Sequence, residues 1–238
     1  MTPGGRLKGR VALVTGASRG LGAAIAKRYA AEGAHVVALA RTQGGLTDLD
    51  DAILAATGES ATLVQLDLHD HDAIDRMGAA LYDRFGKLDI LVGNAAVLGS
   101  LSPVGHFQPK DWAEVFAVNV TANWRLIRGF DQLLRRSEAG RAIFVTCSQG
   151  RAHTPYWGAL AASKAALESI ALTWAEEVAG ISPLRVNLVD PGPMRTALRA
   201  QAFPGEKPDS VPPPETKTDV FVDLAEAGCA RTGQRVAA

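Results

Sequence analysis

The chain has 238 residues, of which 47% are hydrophobic, and its 25 Lys+Arg balance 25 Asp+Glu to a formal net charge of zero. With no basic run, it has no electrostatic footing for nucleic acid or an anionic membrane surface, and no apolar run approaches membrane-spanning length. The two cysteines, Cys147 and Cys229, have neither paired nor metal-ligand spacing, and the opening MTPGGRLKGR lacks the apolar stretch of a signal peptide. A soluble cytoplasmic protein without a metal site is expected, as a single domain over 1–238.

The first apolar run, Val11–Thr15 (VALVT), leads straight into TGASRGLG at 15–22. Further runs follow at His35–Ala40 (HVVALA), 61–66 (ATLVQL), 88–92 (LDILV), 142–147 (AIFVTC) and 184–189 (LRVNLV). Most are nearly continuous in apolar or β-branched residues rather than alternating, the pattern of strands covered on both faces. Helical spacing fills the gaps: within 163–180, Leu167, Ile170, Ala171, Trp174 and Val178 form one stripe. Six β–α alternations imply an α/β fold, a doubly wound parallel sheet of Rossmann type, with ligands bound at the carboxyl ends of the strands. The segment 201–215 (QAFPGEKPDSVPPPE) has five prolines and no helical period; it reads equally as a surface loop or as a lid.

In TGASRGLG, Gly16 permits a tight turn, while Gly20 and Gly22 let backbone approach a pyrophosphate at a helix N-terminus. This loop resembles the TGxxxGxG motif of the short-chain dehydrogenase/reductase family, and the resemblance recurs in order along the chain. Asp67 in VQLDL matches the aspartate that contacts adenine. GNAA at 93–96 matches the NNAG turn, with Gly93 and Ala96 replacing its first and last residues. Asn119 in VNV matches the active-site asparagine, and PGPMRT at 191–196 the segment around the nicotinamide.

The resemblance implies strand order 3-2-1-4-5-6-7 and a nicotinamide dinucleotide cofactor. It also implies a small carbonyl or alcohol substrate, and a homodimer or homotetramer built through helices at 109–136 and 156–179. It assigns cofactor contacts to Gly16, Ser18, Arg19, Gly20, Leu21 and Gly22 in the glycine loop, to Arg41, Asp67 and Leu68 after the next strands, and to Asn94 and Ala95. Lys164, Pro191, Gly192 and Thr196 complete the set. Where NAD-preferring relatives carry an acidic residue at the end of the second strand, this chain has Ala40 and then Arg41, with Arg19 inside the glycine loop. Guanidinium forks without a nearby carboxylate suit a 2′-phosphate, so NADP is expected over NAD.

The family transfers protons with a tyrosine and a lysine spaced tyrosine-x-x-x-lysine, a serine thirteen residues before the tyrosine, and the asparagine. Lys164 matches the lysine. The tyrosine position then holds Leu160 and the serine position Cys147, with Ser148 one place out of register and expected on the opposite face. Leucine can neither give nor take a proton, and a thiol is a weak donor. Tyr156, His153 and Cys147 are the candidate replacements for the missing function. Val97, the run from 97 to 106, residues 149–157 and the proline-rich loop at about 197–216 are expected to line the substrate pocket. Two readings stand: an NADP-dependent oxidoreductase with an impaired catalytic set (Asn119, Cys147, Leu160, Lys164), or a non-catalytic NADP-binding regulator or inactive partner subunit.

Overall fold

Strand β1 (Val11–Thr15) lies in the interior of the sheet, between β2 (His35–Ala40) and β4 (Ile90–Gly93). β3 (Thr62–Gln65) extends one side; β5 (Arg141–Val145), β6 (Arg185–Asp190) and β7 (Arg235–Ala237) extend the other. All pairings are parallel and the order is β3-β2-β1-β4-β5-β6-β7. The computed structural model describes residues 5–238; the first four residues of the expected 1–238 domain, with the start of MTPGGRLKGR, lie outside the described residues.

Successive side chains of a strand point to opposite faces, and each face here has its own apolar layer. Ala12 and Val14 of β1, Ile90 and Val92 of β4, and Ile143 and Val145 of β5 pack on one side. That side is covered by α1 (Gly20–Ala31), α2 (Gln43–Thr57) and α9 (Asp219–Ala225), through residues such as Ile25, Leu46 and Phe221. Leu13, Leu91, Ala142 and Phe144 face the other way. There they meet α3 (His71–Phe85), α5 (Ala122–Arg136) and α7 (Gly158–Val178) through Ile74, Phe130, Leu167 and Trp174. This two-sided burial is why the strands read as continuous apolar runs.

Three short helices complete the set: α4 (Pro109–Phe116), α6 (Gln149–Ala152) and α8 (Ala197–Ala202). The helix expected over 109–136 is α4 and α5 joined by a π-helical turn, Ala117–Thr121. The helix expected from 156 begins two residues later, at Gly158. Tyr156 takes a left-handed conformation (φ 74), which a helix cannot continue through. The proline-rich segment is irregular but not featureless, with 3₁₀ turns at Pro208–Ser210 and Pro214–Lys217. Its start is clasped by a bidentate Arg199–Glu206 pair, both contacts 2.7 Å.

Gly93 ends β4 beneath the ring of Phe144. A Cβ there would lie 2.4 Å from Phe144 Cδ1 and 2.5 Å from Asn123 Oδ1, so the Phe144 ring occupies the space a side chain would need. Gly93→Ala should therefore cost about 1–3 kcal/mol by overpacking. It should appear as a lower urea midpoint at unchanged slope.

Candidate active site

A cavity of about 980 Å³ runs along the carboxyl ends of the strands, as the strand order requires. Next to it, the buried Thr15 hydroxyl donates to Val92 O (3.2 Å) and accepts from the amides of Asn94 and Ala95 (3.0 Å each). The Asn94 side chain returns to Thr15 O at 2.8 Å. These bonds join the glycine loop to the turn after β4. Gly16 (φ 66) lies against that turn, where a Cβ would come within 3.0 Å of Ala95 Cα.

The wall at this end is formed by Gly16, Ser18, Arg19, Gly20 and Leu21, by Arg41, Asp67 and Leu68, and by Asn94 and Ala95. Gly22 is the exception. It does not line the cavity; its missing Cβ makes room for Gly16 O, which would be 2.2 Å away, so it serves close packing of α1 under the loop. No side chain caps α1 and its first turn has no acidic residue, leaving its leading amides and the positive end of its dipole for an anion. Asp67 accepts from the His69 amide (3.0 Å) and lies 2.7 Å from the His69 ring. The amide bond above all, with the ring and Arg41 adding to it, holds its carboxyl below the usual range despite partial burial. Arg19 and Arg41 are exposed and, among the described residues, pair with no carboxylate within salt-bridge distance.

At the other end stand Cys147, Leu160 and Lys164, with Pro191, Gly192 and Thr196. Thr196 caps α8 by accepting from the Arg199 amide at 3.2 Å, and the Asp190 carboxylate accepts from the Gly192 amide at 3.0 Å to set the turn between them. Lys164 is 4% exposed and its Nζ donates to Val145 O at 2.7 Å. Burial lowers its pKa, against the pull of Cys147, Glu168 and Asp190. Leu160 is likewise 4% exposed, an apolar wall. Trp157, Met194 and Phe203 extend that wall; Trp157 and Phe203 meet with ring centroids 5.7 Å apart, and the Arg199 guanidinium lies 3.7 Å over Phe203.

Several expected residues fall elsewhere. Asn119 is fully buried and does not line the cavity. Its Oδ1 accepts from the Val97 amide (2.9 Å), and its Nδ2 donates to Val97 O and Ser163 Oγ (3.0 Å each). Both amide hydrogens are committed to protein, so the side chain orders the loop after β4. Ser148, expected on the opposite face, joins Cys147 at the wall, because β5 ends at Val145 and strand alternation no longer applies. Tyr156 is 59% exposed and, with His153, absent from the wall. Of the run from 97 to 106, Val97 reaches the main cavity. Residues 97–100 line a second, smaller one, which also borders Asp111 and Glu114.

Sequence reasoning missed Glu168 and Thr146. Glu168 follows Lys164 by one helical turn and is 3% exposed, a carboxylate inside an apolar stripe. That mismatch between residue type and face was readable in the sequence.

The sequence profile of the family described as short chain dehydrogenase matches residues 10–207. The chain is 37% identical over 210 residues to the uncharacterized oxidoreductase YciK of Escherichia coli (strain K12), covering 87% of this chain and 82% of that one. A short chain dehydrogenase structure from Pseudomonas syringae superposes with a TM-score of 0.95 at 38% identity, over 98% of this chain and 96% of that one. Another, from Shigella flexneri 2a and complexed with NADP, superposes with a TM-score of 0.94 at 33% identity, over 98% of each chain. By its sequence match and its superposition on these structures, the chain belongs to the short-chain dehydrogenase/reductase family of oxidoreductases.

Proposed function

We propose that this chain binds NADP and acts on a mid-sized, partly apolar carbonyl or alcohol, with proton transfer impaired by Leu160. The observation that carries the cofactor choice is the pair of exposed guanidiniums, Arg19 and Arg41, beside Ala40 where a carboxylate would repel a 2′-phosphate. The NADP complex of the Shigella flexneri relative supports it. The glycine cradle and the uncapped α1 terminus suit the pyrophosphate, Asp67 the adenine, and Lys164 with Thr196 the nicotinamide ribose and amide. Bound there, the cofactor supplies hydride exchange.

The chain's own residues are better arranged for binding than for proton transfer. Ser148 and Cys147 offer hydrogen-bonding groups at the wall. Leu160 presents only methyl groups where a general acid is required, and loss of a positioned general acid costs about 10²–10⁴ in rate. The same observation supports the second reading, an NADP-binding regulator or inactive partner subunit, which needs no turnover. The segment from α8 through the Arg199–Glu206 clasp would cover substrate at the Trp157–Phe203 end. We assign the protein to the cytoplasm, and to a homodimer or homotetramer in which α5 carries Trp124, 45% exposed, towards a second copy.

Exchanging Ala40→Asp together with Arg41→Ala should raise the NADPH dissociation constant by about 10–100-fold and improve NADH binding, because one charge-assisted contact is lost and a repelling carboxylate gained. Fluorescence titration with both nucleotides checks this; an unchanged affinity ratio refutes the assignment. The Cys147→Ser/Leu160→Tyr double variant should gain about 10²–10⁴ in NADPH oxidation across a panel of ketones and aldehydes relative to the natural chain. Comparable turnover in the two would show that another group supplies the proton. Turnover by the variant alone, at rates unreachable by the natural chain, would favour the regulator or partner reading.

A further inference from the structure

We propose that Glu168 is a positioning residue for the cofactor pocket: through Thr146 and Arg235 it fixes where β5 ends, and with it where the Lys164 ammonium sits. The inference rests on the NADP-binding reading above, which gives Lys164 its ligand.

Lys164 and Glu168 lie one turn apart on α7 and grip consecutive residues of the same strand end. Lys164 Nζ donates to Val145 O at 2.7 Å, while Glu168 Oε1 accepts from Thr146 Oγ1 at 2.6 Å. The two contacts are therefore not independent; a shift of β5 relative to α7 would break both. The other carboxylate oxygen, Oε2, accepts from Arg235 Nε of β7 at 2.7 Å, and Arg151 Nε of α6 stands 3.7 Å from Oε1. A carboxylate 3% exposed is costly to bury unless paired and hydrogen-bonded. Its partners come from three other elements, so the charge joins α7, the end of β5, α6 and β7. No other described carboxylate combines this burial with contacts to both the strand end and β7.

The charged and titratable groups acting on Lys164 are Cys147, Glu168 and Asp190, while Arg151 and Arg235 face Glu168 from the far side. Burial favours the neutral amine, and the three acidic groups favour the ammonium. Removing the Glu168 charge should make Lys164 lose its proton at lower pH. Removing the Arg235 charge leaves Glu168 less neutralised and should do the reverse. A purely structural brace would not give shifts of opposite sign.

The test is NADPH binding by fluorescence from about pH 7 to about pH 10, a range above the titration of the 2′-phosphate. It uses the full-length protein, Glu168→Gln, Arg235→Gln and Arg235→Lys, with thermal melting of each. All four are made with Cys147→Ser, so that titration of the neighbouring thiol does not stand in for that of Lys164. Expected for Glu168→Gln is an NADPH dissociation constant about tenfold higher at pH 7, with the alkaline loss of affinity beginning at lower pH. Expected for Arg235→Gln, a half-exposed site, is a later onset, while Arg235→Lys, which keeps the charge on Glu168, should leave the onset unshifted. Lower melting temperatures with unshifted profiles, or shifts of the same sign, overturn the inference and leave NADP binding standing. Failure of the natural chain to bind NADPH overturns both.

Discussion

Everything at the site depends on one seam, the line where β1 meets β4. Strand order reverses there: the chain winds outward from β1 through β2 to β3, then returns to begin again at β4. The helices that follow β1 and β4 consequently lie on opposite faces, leaving the strand ends between them as the site of the cavity. A crevice results from topology alone. The Thr15 hydroxyl, bonded to Val92 O and to the Asn94 and Ala95 amides, satisfies backbone groups that would otherwise open towards that crevice. Gly16 and Gly22 then allow the loop to lie close enough to the Asn94 turn for these bonds to form. Binding surface, loop geometry and helix terminus are thus one consequence of a single pairing.

The parts of this design that were legible in the sequence are those set by short-range rules. A strand covered on both faces needs apolar residues at every position, so Val11–Thr15 and His35–Ala40 declared themselves with their observed limits. The glycine loop was legible because its spacing sits between a strand and a helix. Less legible were features decided by tertiary contact. The resemblance implied a helix starting at residue 156, but the Tyr156 carbonyl is held by the Ser102 amide at 3.0 Å. Its left-handed turn delays the helix to Gly158. The π-helical turn at Ala117–Thr121 was equally hidden: Asn123 Nδ2 reaches Asn119 O at 2.9 Å, a contact that helical periodicity does not announce.

Asn119 and Gly22 show why motif matching and site geometry are separate statements. Each lies where the family pattern puts it, yet neither lines the cavity. Asn119 spends its amide on the Val97 backbone and Ser163, and Ser163 Oγ in turn donates to Leu160 O at 2.8 Å. A motif residue can therefore shape the wall at one remove, by holding the backbone of the residues that form it. Ser148 makes the converse point. Strand parity would exclude it, but parity ends with the ladder at Val145, and the turn beyond brings both Cys147 and Ser148 to the wall.

The contacts that hold Lys164 explain how binding and proton transfer can part company in such a site. A buried ammonium survives only with acceptors and nearby negative charge. Here these are Val145 O as acceptor and, in order of effect, Cys147, Glu168 and Asp190, and none depends on the side chain at position 160. Replacing a hydroxyl by leucine at that position removes a proton donor from the wall but breaks no hydrogen bond in this set. It also adds apolar surface to a wall already built from Trp157, Met194 and Phe203. The same architecture therefore keeps its crevice, a fixed cation and an apolar chamber with leucine at position 160. On the proposed reading, affinity and rate rest on different side chains, and a change in one leaves the physical basis of the other in place.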